Sequence, residues 1–233
     1  MMPLHDDNPT EHTPVVTVAT IIACVLVFFY QASLPPGPGE AFVYSYGAIP
    51  ALVFGQAHLP ENVVAIPAFA TLFTSMFLHG GLMHLLGNML YLWIFGNNVE
   101  DVMGSVRFIV FYLVCGLLAA LSHALTDPSS TVPMVGASGA ISGVLGAYLL
   151  LFPRARVLVL APYVGTTYVP AGFVLGLWFV MQILSGGASI GSKGGGVAFF
   201  AHIGGFVAGM LLIGLFKRAD VPFFAPARHS GWR

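Results

Sequence analysis

Six stretches of the chain, roughly residues 14 to 33, 82 to 99, 106 to 125, 136 to 152, 168 to 185 and 197 to 216, are almost free of charge. A helix needs about 20 predominantly apolar residues to cross the hydrocarbon core of a bilayer. Within that core a helix satisfies every backbone polar group internally, which irregular chain facing lipid cannot do. The expected fold is therefore all-α: a polytopic membrane protein built as a bundle of six transmembrane helices. With 57% hydrophobic and only 7% charged residues, the composition is far from that of a soluble domain. A net charge of −1 offers no basic surface for nucleic acid. Cys24 and Cys115 both fall inside apolar stretches and provide no disulfide framework.

Residues 1–13 carry Asp6, Asp7 and Glu11 but no Lys or Arg, so they read as a short polar tail and not as a secretory leader with a basic start. The six-span body is expected over residues 14–218, and a short Pro-containing tail over 219–233. The longest connection, Leu34 to Gly81, opens with Pro35-Pro36-Gly37-Pro38-Gly39. It also contains the apolar run Ile66 to Leu78, which is short and interrupted by Pro67. That run is predicted to lie along the membrane and not across it. Cytoplasmic loops collect Lys and Arg. Six crossings put Arg107, Arg154, Arg156, Lys217, Arg218, Arg228 and Arg233 on the side of the termini and Lys193 on the other. Both termini are thus expected in the cytoplasm. The expected location is an integral multi-pass protein of a bacterial inner membrane.

Spans two, four and six all run from the outer to the inner face in this topology. His84 and Asn88 fall in the first turns of span two, Ser138 in the first turn of span four, and His202 in the first two turns of span six. Polar side chains inside a membrane are costly and mark functional sites by default. Here they share one depth. His84 and Asn88, four residues apart, also share one helical face. Span four carries Gly139, Gly143 and Ala147, and span six carries Ala201, Gly205 and Gly209, each at intervals of four. Such small-residue stripes let helix backbones approach closely in lipid.

A serine and an imidazole brought together in this way can act as nucleophile and general base. No Asp or Glu lies within a span, since Glu100 and Asp101 sit at a helix end and Asp127 in a loop. The chemistry available is that of a Ser-His dyad and not of a triad. Glu100 and Arg107 are expected to brace the turn between spans two and three.

Four motifs carry a resemblance: His79-Gly80-Gly81-Leu82-Met83-His84-Leu85-Leu86-Gly87-Asn88; Gly96-Asn97-Asn98-Val99-Glu100-Asp101-Val102-Met103-Gly104; Gly136-Ala137-Ser138-Gly139-Ala140; and Ala201-His202-Ile203-Gly204-Gly205. In this order and on these spans they resemble the rhomboid intramembrane serine proteases. The resemblance implies a six-span bundle that cleaves transmembrane protein substrates in the lipid bilayer, without a cofactor. It implies Ser138 as nucleophile, His202 as general base, and His84 and Asn88 as donors to the oxyanion together with the backbone N–H near Ser138. It also implies that Val169 to Gly186 and the loop Gly187 to Gly196 gate substrate entry. Two departures stand out. Some relatives carry an aromatic residue one turn after the nucleophile, where this chain has Ser142, so another side chain must support the His202 ring if its orientation is fixed. Many relatives also carry a Trp-Arg pair in the first external loop, and residues 34 to 81 contain neither.

Each residue also has a plainer reading. Ser138 alone could bond a carbonyl of its own helix, His202 alone could donate across helices, and His84 and Asn88 could be structural bridges. His79 reads as an interfacial residue. His79 and His84 are five residues apart with no glutamate between them, which is not the zinc-binding helix spacing. Of other classes, a silent relative that binds transmembrane clients would dispense with Ser138 or His202, and both are present. A transporter would continue its polar path across the bilayer, whereas the inner halves of these spans are nearly devoid of ionisable groups. No oligomeric state is implied.

Overall fold

Each of the six apolar stretches forms a helix in the computed structural model, which describes residues 1–163, 165–189 and 198–225. Helix α1 covers Val15–Ser33. A second helix, α2 (Pro36–Tyr46), occupies the long connection and starts on Pro36, where the missing N–H costs nothing. The remaining long elements are α3 (Leu82–Met103), α4 (Ser105–Ala124), α5 (Ser138–Leu151), α6 (Ala171–Ser189) and α7 (Phe199–Phe216).

Four of these, α1, α4, α6 and α7, are each long and apolar enough to cross a membrane. The turns over Ala68–Phe77 and helix α3 meet that test only as a pair bent by 81°, and α5 is shorter, at 14 residues. Among the described residues, four helices are thus long and apolar enough to cross, or five segments with the bent pair, against the six expected. The Ile66 to Leu78 run folds into short α and 3₁₀ turns. The loop predicted at Gly187 to Gly196 lies outside the described residues from position 190 onward, as do Lys193, Arg228 and Arg233.

The all-α expectation needs correction. The chain is mostly helical, but strands β1 (Met2–Asp6), β2 (Arg156–Ala161) and β3 (Gly165–Pro170) form an antiparallel sheet in the order β1-β2-β3. Met2 pairs with Leu160 and Asp6 with Val157, while Arg156 pairs with Pro170. The β2-β3 ribbon therefore carries the chain from the end of α5 to the start of α6. The supposed tail adds the third strand. Val157 and Val159, two apart, are fully buried on one face of β2.

The N-terminal segment is bound to the same end of the bundle by side chains. Asp6 accepts a hydrogen bond from the Tyr148 hydroxyl (2.6 Å), and Asp7 accepts from Arg156 N (2.7 Å) and Nε (3.1 Å). Glu100 accepts from Val16 N, Thr17 N and Thr17 Oγ1 at 2.8 to 2.9 Å, and from Ser105 Oγ at 2.6 Å. Its negative charge thereby meets free N–H groups at the positive end of α1. Glu100 thus ties the α3–α4 turn to the start of α1. Arg107 stands exposed on α4 and makes no hydrogen bond or ion pair in the turn among the described residues.

At the centre, α5 and α7 cross with almost no side chain between them. A Cβ on Gly205 would collide with the carbonyl oxygen of Gly139, and one on Gly209 with that of Gly143. Helix α4 closes the third side, where a Cβ on Gly139 would lie 2.7 Å from Cβ of Ala119. Lipid supplies no hydrophobic drive for helices to associate, so this contact rests on close van der Waals packing. Around it Phe95, Phe108, Phe111, Tyr112, Tyr148 and Phe206 are essentially inaccessible.

Candidate active site

Close helix packing brings the site together. Ser138 is the first residue of α5, and His202 lies in the first turn of α7. Gly205, one turn past His202, packs on Gly139, the residue after Ser138. With the backbones in contact there, the two side chains reach across one turn higher: His202 Nε2 lies 2.8 Å from Ser138 Oγ. Both residues are partly buried, and a narrow cavity lined by Ser75, Met134, Gly139, Ala198 and Ala201 reaches Ser138.

Ser138 does not back-bond to its own helix. Ser142 does so instead: its Oγ donates to the Ser138 carbonyl at 2.6 Å, and its side chain is buried. The position one turn after Ser138 therefore braces the start of α5, and support for the His202 ring comes from α6. Gln182 Oε1 lies 2.8 Å from His202 Nδ1, and the Trp178 ring lies 5.8 Å from the imidazole, centroid to centroid, tilted by 37°. Trp178 and Gln182 are four residues apart and share the face of α6 turned to α7. Neither stood out in the sequence. Gln182 did leave a signal, being the sole side-chain amide in a largely apolar helix.

His84 and Asn88 stand together on the first turns of α3, beside Gly136. A Cβ on Gly136 would lie 2.8 Å from His84 Nε2 and 3.6 Å from Asn88 Nδ2. Gly136 itself has φ +123°, a left-handed conformation suited to glycine, and its N–H donates to the Ser75 carbonyl at 2.8 Å. His84 Nδ1 accepts a long bond from Gly80 N (3.4 Å), which leaves Nε2 as the protonated nitrogen facing Gly136. Asn88 is buried, and its Nδ2 has no partner within the protein. The side chains of His84 and Asn88 thus both stand beside Gly136, two residues before Ser138, and the Asn88 amide is the buried one left without an acceptor among the described residues. His79, expected at the interface, is instead fully buried beneath His84, its ring edge-on at 5.2 Å. Among the described residues, no group of three His, Cys, Asp or Glu side chains is arranged to hold a metal ion.

A mostly helical membrane protein that sets a serine hydroxyl against an imidazole at the meeting of two helix starts defines a narrow class. The Rhomboid domain matches residues 67–219, and the chain belongs to the rhomboid family. It is 29% identical over 185 residues to Rhomboid protein 1, mitochondrial, of Saccharomyces cerevisiae, covering 72% of this chain and 51% of that protein. It is 37% identical over 142 residues to Rhomboid protease GluP of Bacillus subtilis, covering 60% of this chain and 27% of that one. With RHOMBOID-like protein 4 of Arabidopsis thaliana it shares 34% identity over 215 residues, 84% of this chain and 50% of the relative. The chain thus spans about half of the yeast relative and about a quarter of the Bacillus protease. The relatives include both mitochondrial and bacterial proteins, so the family indicates an integral membrane protein and not specifically a bacterial inner membrane.

Proposed function

We propose that the chain is an intramembrane serine endopeptidase that hydrolyses peptide bonds in or near transmembrane segments of other membrane proteins. The observation that carries this reading is the 2.8 Å contact between His202 Nε2 and Ser138 Oγ, which is within proton-transfer reach. His202 Nε2 takes the Ser138 proton, and Oγ attacks the substrate carbonyl. The resulting oxyanion accepts hydrogen bonds from the free N–H at the start of α5, from His84 Nε2 and from Asn88 Nδ2. His202 then passes its proton to the leaving amine, and water entering from the outer face hydrolyses the acyl-enzyme. The unpartnered Asn88 amide supports its part, since a preorganised donor must be vacant before the charge develops.

In this reading α1, α3, α4, α5, α6 and α7 are six crossings and both termini are cytoplasmic, as the basic residues favour. The short α5 fits a crossing whose outer end meets water. The substrate class is single-span membrane proteins, cut near helix-breaking residues at their outer ends.

Purified protein in detergent is expected to cleave such a substrate and to be labelled by a serine-directed fluorophosphonate. Ser138→Ala is expected to lower cleavage by several orders of magnitude and abolish labelling. Cleavage that persists in Ser138→Ala, with contaminating proteases excluded, would place the nucleophile elsewhere. Absence of cleavage and labelling in both proteins would favour a silent binder of transmembrane clients.

A further inference from the structure

For His202 Nε2 to accept the Ser138 proton it must be bare, so the single proton of the neutral ring must reside on Nδ1. An Nδ1–H surrounded by apolar helices needs an acceptor, and leaving it unmatched would favour the opposite tautomer, with the proton on the wrong nitrogen. Among the described residues the partners of the His202 ring are Gln182 and Ser138, and neither is a carboxylate. Glu100 is engaged with the start of α1, Asp101 with His12, Asp6 with Tyr148 and Asp127 with Ser129. The atom that faces Nδ1 is Gln182 Oε1, at 2.8 Å.

We propose that Gln182 is the positioning residue of the dyad: its amide oxygen fixes the Nδ1–H tautomer of His202, and Trp178, one turn earlier on α6, fixes the plane of the ring. This assignment rests on the protease reading of Ser138 and His202. The amide carbonyl does the orienting work of a triad carboxylate without placing a charge in hydrocarbon. Trp178 is itself held at 6.0 Å by Phe206 on α7, so the imidazole sits between a π-face and a carbonyl that share one face of α6. In the opposite amide orientation NH₂ would face Nδ1, which would then have to accept, forcing the proton onto Nε2 and blocking transfer from Ser138. The acceptor orientation is therefore the productive one. The bond joins α6 to α7.

The test compares wild type with Gln182→Leu, which removes the acceptor at similar volume, and with Gln182→Glu, which keeps an acceptor and lacks a donor. Steady-state cleavage of a single-span substrate is measured alongside ¹⁵N NMR of histidine-labelled protein, with the His202 signals assigned by their loss in His202→Ala. Gln182→Leu is expected to lower kcat roughly 10- to 100-fold with KM within about twofold, and to shift His202 from the Nδ1–H form toward Nε2–H. Gln182→Glu is expected to keep the Nδ1 proton and recover most of kcat. The proposal is overturned if Gln182→Leu retains the Nδ1–H tautomer, whatever happens to its rate. Equal loss of rate in both variants with an unchanged tautomer would also overturn it, marking a packing role. If wild type and Ser138→Ala are equally inert, the protease reading fails, while the tautomer comparison still decides what Gln182 does.

Discussion

Replacing Gly205 with alanine tests whether close packing, and not merely the presence of a serine and a histidine, assembles the site. The added methyl would collide with the Gly139 carbonyl oxygen and lie 3.1 Å from its carbonyl carbon and 3.3 Å from Cβ of Ala119. The first obstacle is backbone and cannot rotate away. Restoring an ordinary non-bonded separation of about 3.3 Å requires α5 and α7 to part by roughly 1 Å or more. Ser138 is the residue before Gly139, and His202 lies one turn before Gly205. Transmitted to the pair, such a shift would lengthen the 2.8 Å contact to about 3.8 Å, beyond hydrogen-bond reach. A misplacement of that size lowers turnover about 100-fold, and overpacking the contact costs about 1 to 3 kcal/mol of stability. Gly214→Ala, on the same helix, is the control, because its methyl would meet only the edge of the Phe223 ring at 3.6 Å. Fluorophosphonate labelling rates and thermal unfolding in detergent read out both variants. Gly205→Ala labelling and unfolding like Gly214→Ala would refute the argument that the backbone contact sets the distance between Ser138 and His202.

Asn88→Ala removes a buried donor that has no partner in the free protein, so it should leave thermal stability nearly unchanged. It should lower kcat by about 100- to 1000-fold with little change in KM, and an equal fall in the melting temperature would instead mark a structural bridge. Burial raises the Asp6 carboxyl to about 6, against 3.8 for the free side chain, although its bond from Tyr148 acts the other way. The folded state therefore binds the proton more tightly, and up to about 3 kcal/mol of stability present below pH 4 is lost as the pH rises through 6. The difference in thermal stability between wild type and Asp6→Asn should track that window, and parallel profiles from pH 4 to 8 would count against it.

The helical frame was legible because lipid-spanning length is written locally. The expected stretch 106 to 125 is α4 at Ser105–Ala124, and 14 to 33 is α1 at Val15–Ser33. The small-residue stripes also announced which faces of α5 and α7 meet, since glycine at intervals of four has few uses in lipid besides close approach. The sheet was less visible. Val157-Leu158-Val159-Leu160 is a continuous apolar run between two prolines, and periodicity alone does not separate such a run from the end of a span. Its partner strand, Met2–Asp6, lies about 150 residues away, and a pairing that distant leaves no local mark.

The same limit of local reading explains the one gap at the site. Ser142, one turn after Ser138, offers no aromatic support to the His202 ring, and the sequence could say only that the support must lie elsewhere. Helix α6 is apolar around nearly its whole circumference, so hydropathy does not fix which face turns inward. The rotation is set by Trp178 and Phe179 packing on Phe206, the latter stacked at 4.4 Å. Once those rings set the angle, Gln182, one turn after Trp178, has no choice but to face His202. The orientation of the imidazole thus depends on aromatic contacts of the neighbouring helix, and a change at Phe206, one turn after His202, acts on the ring through Trp178 and Phe179 of α6.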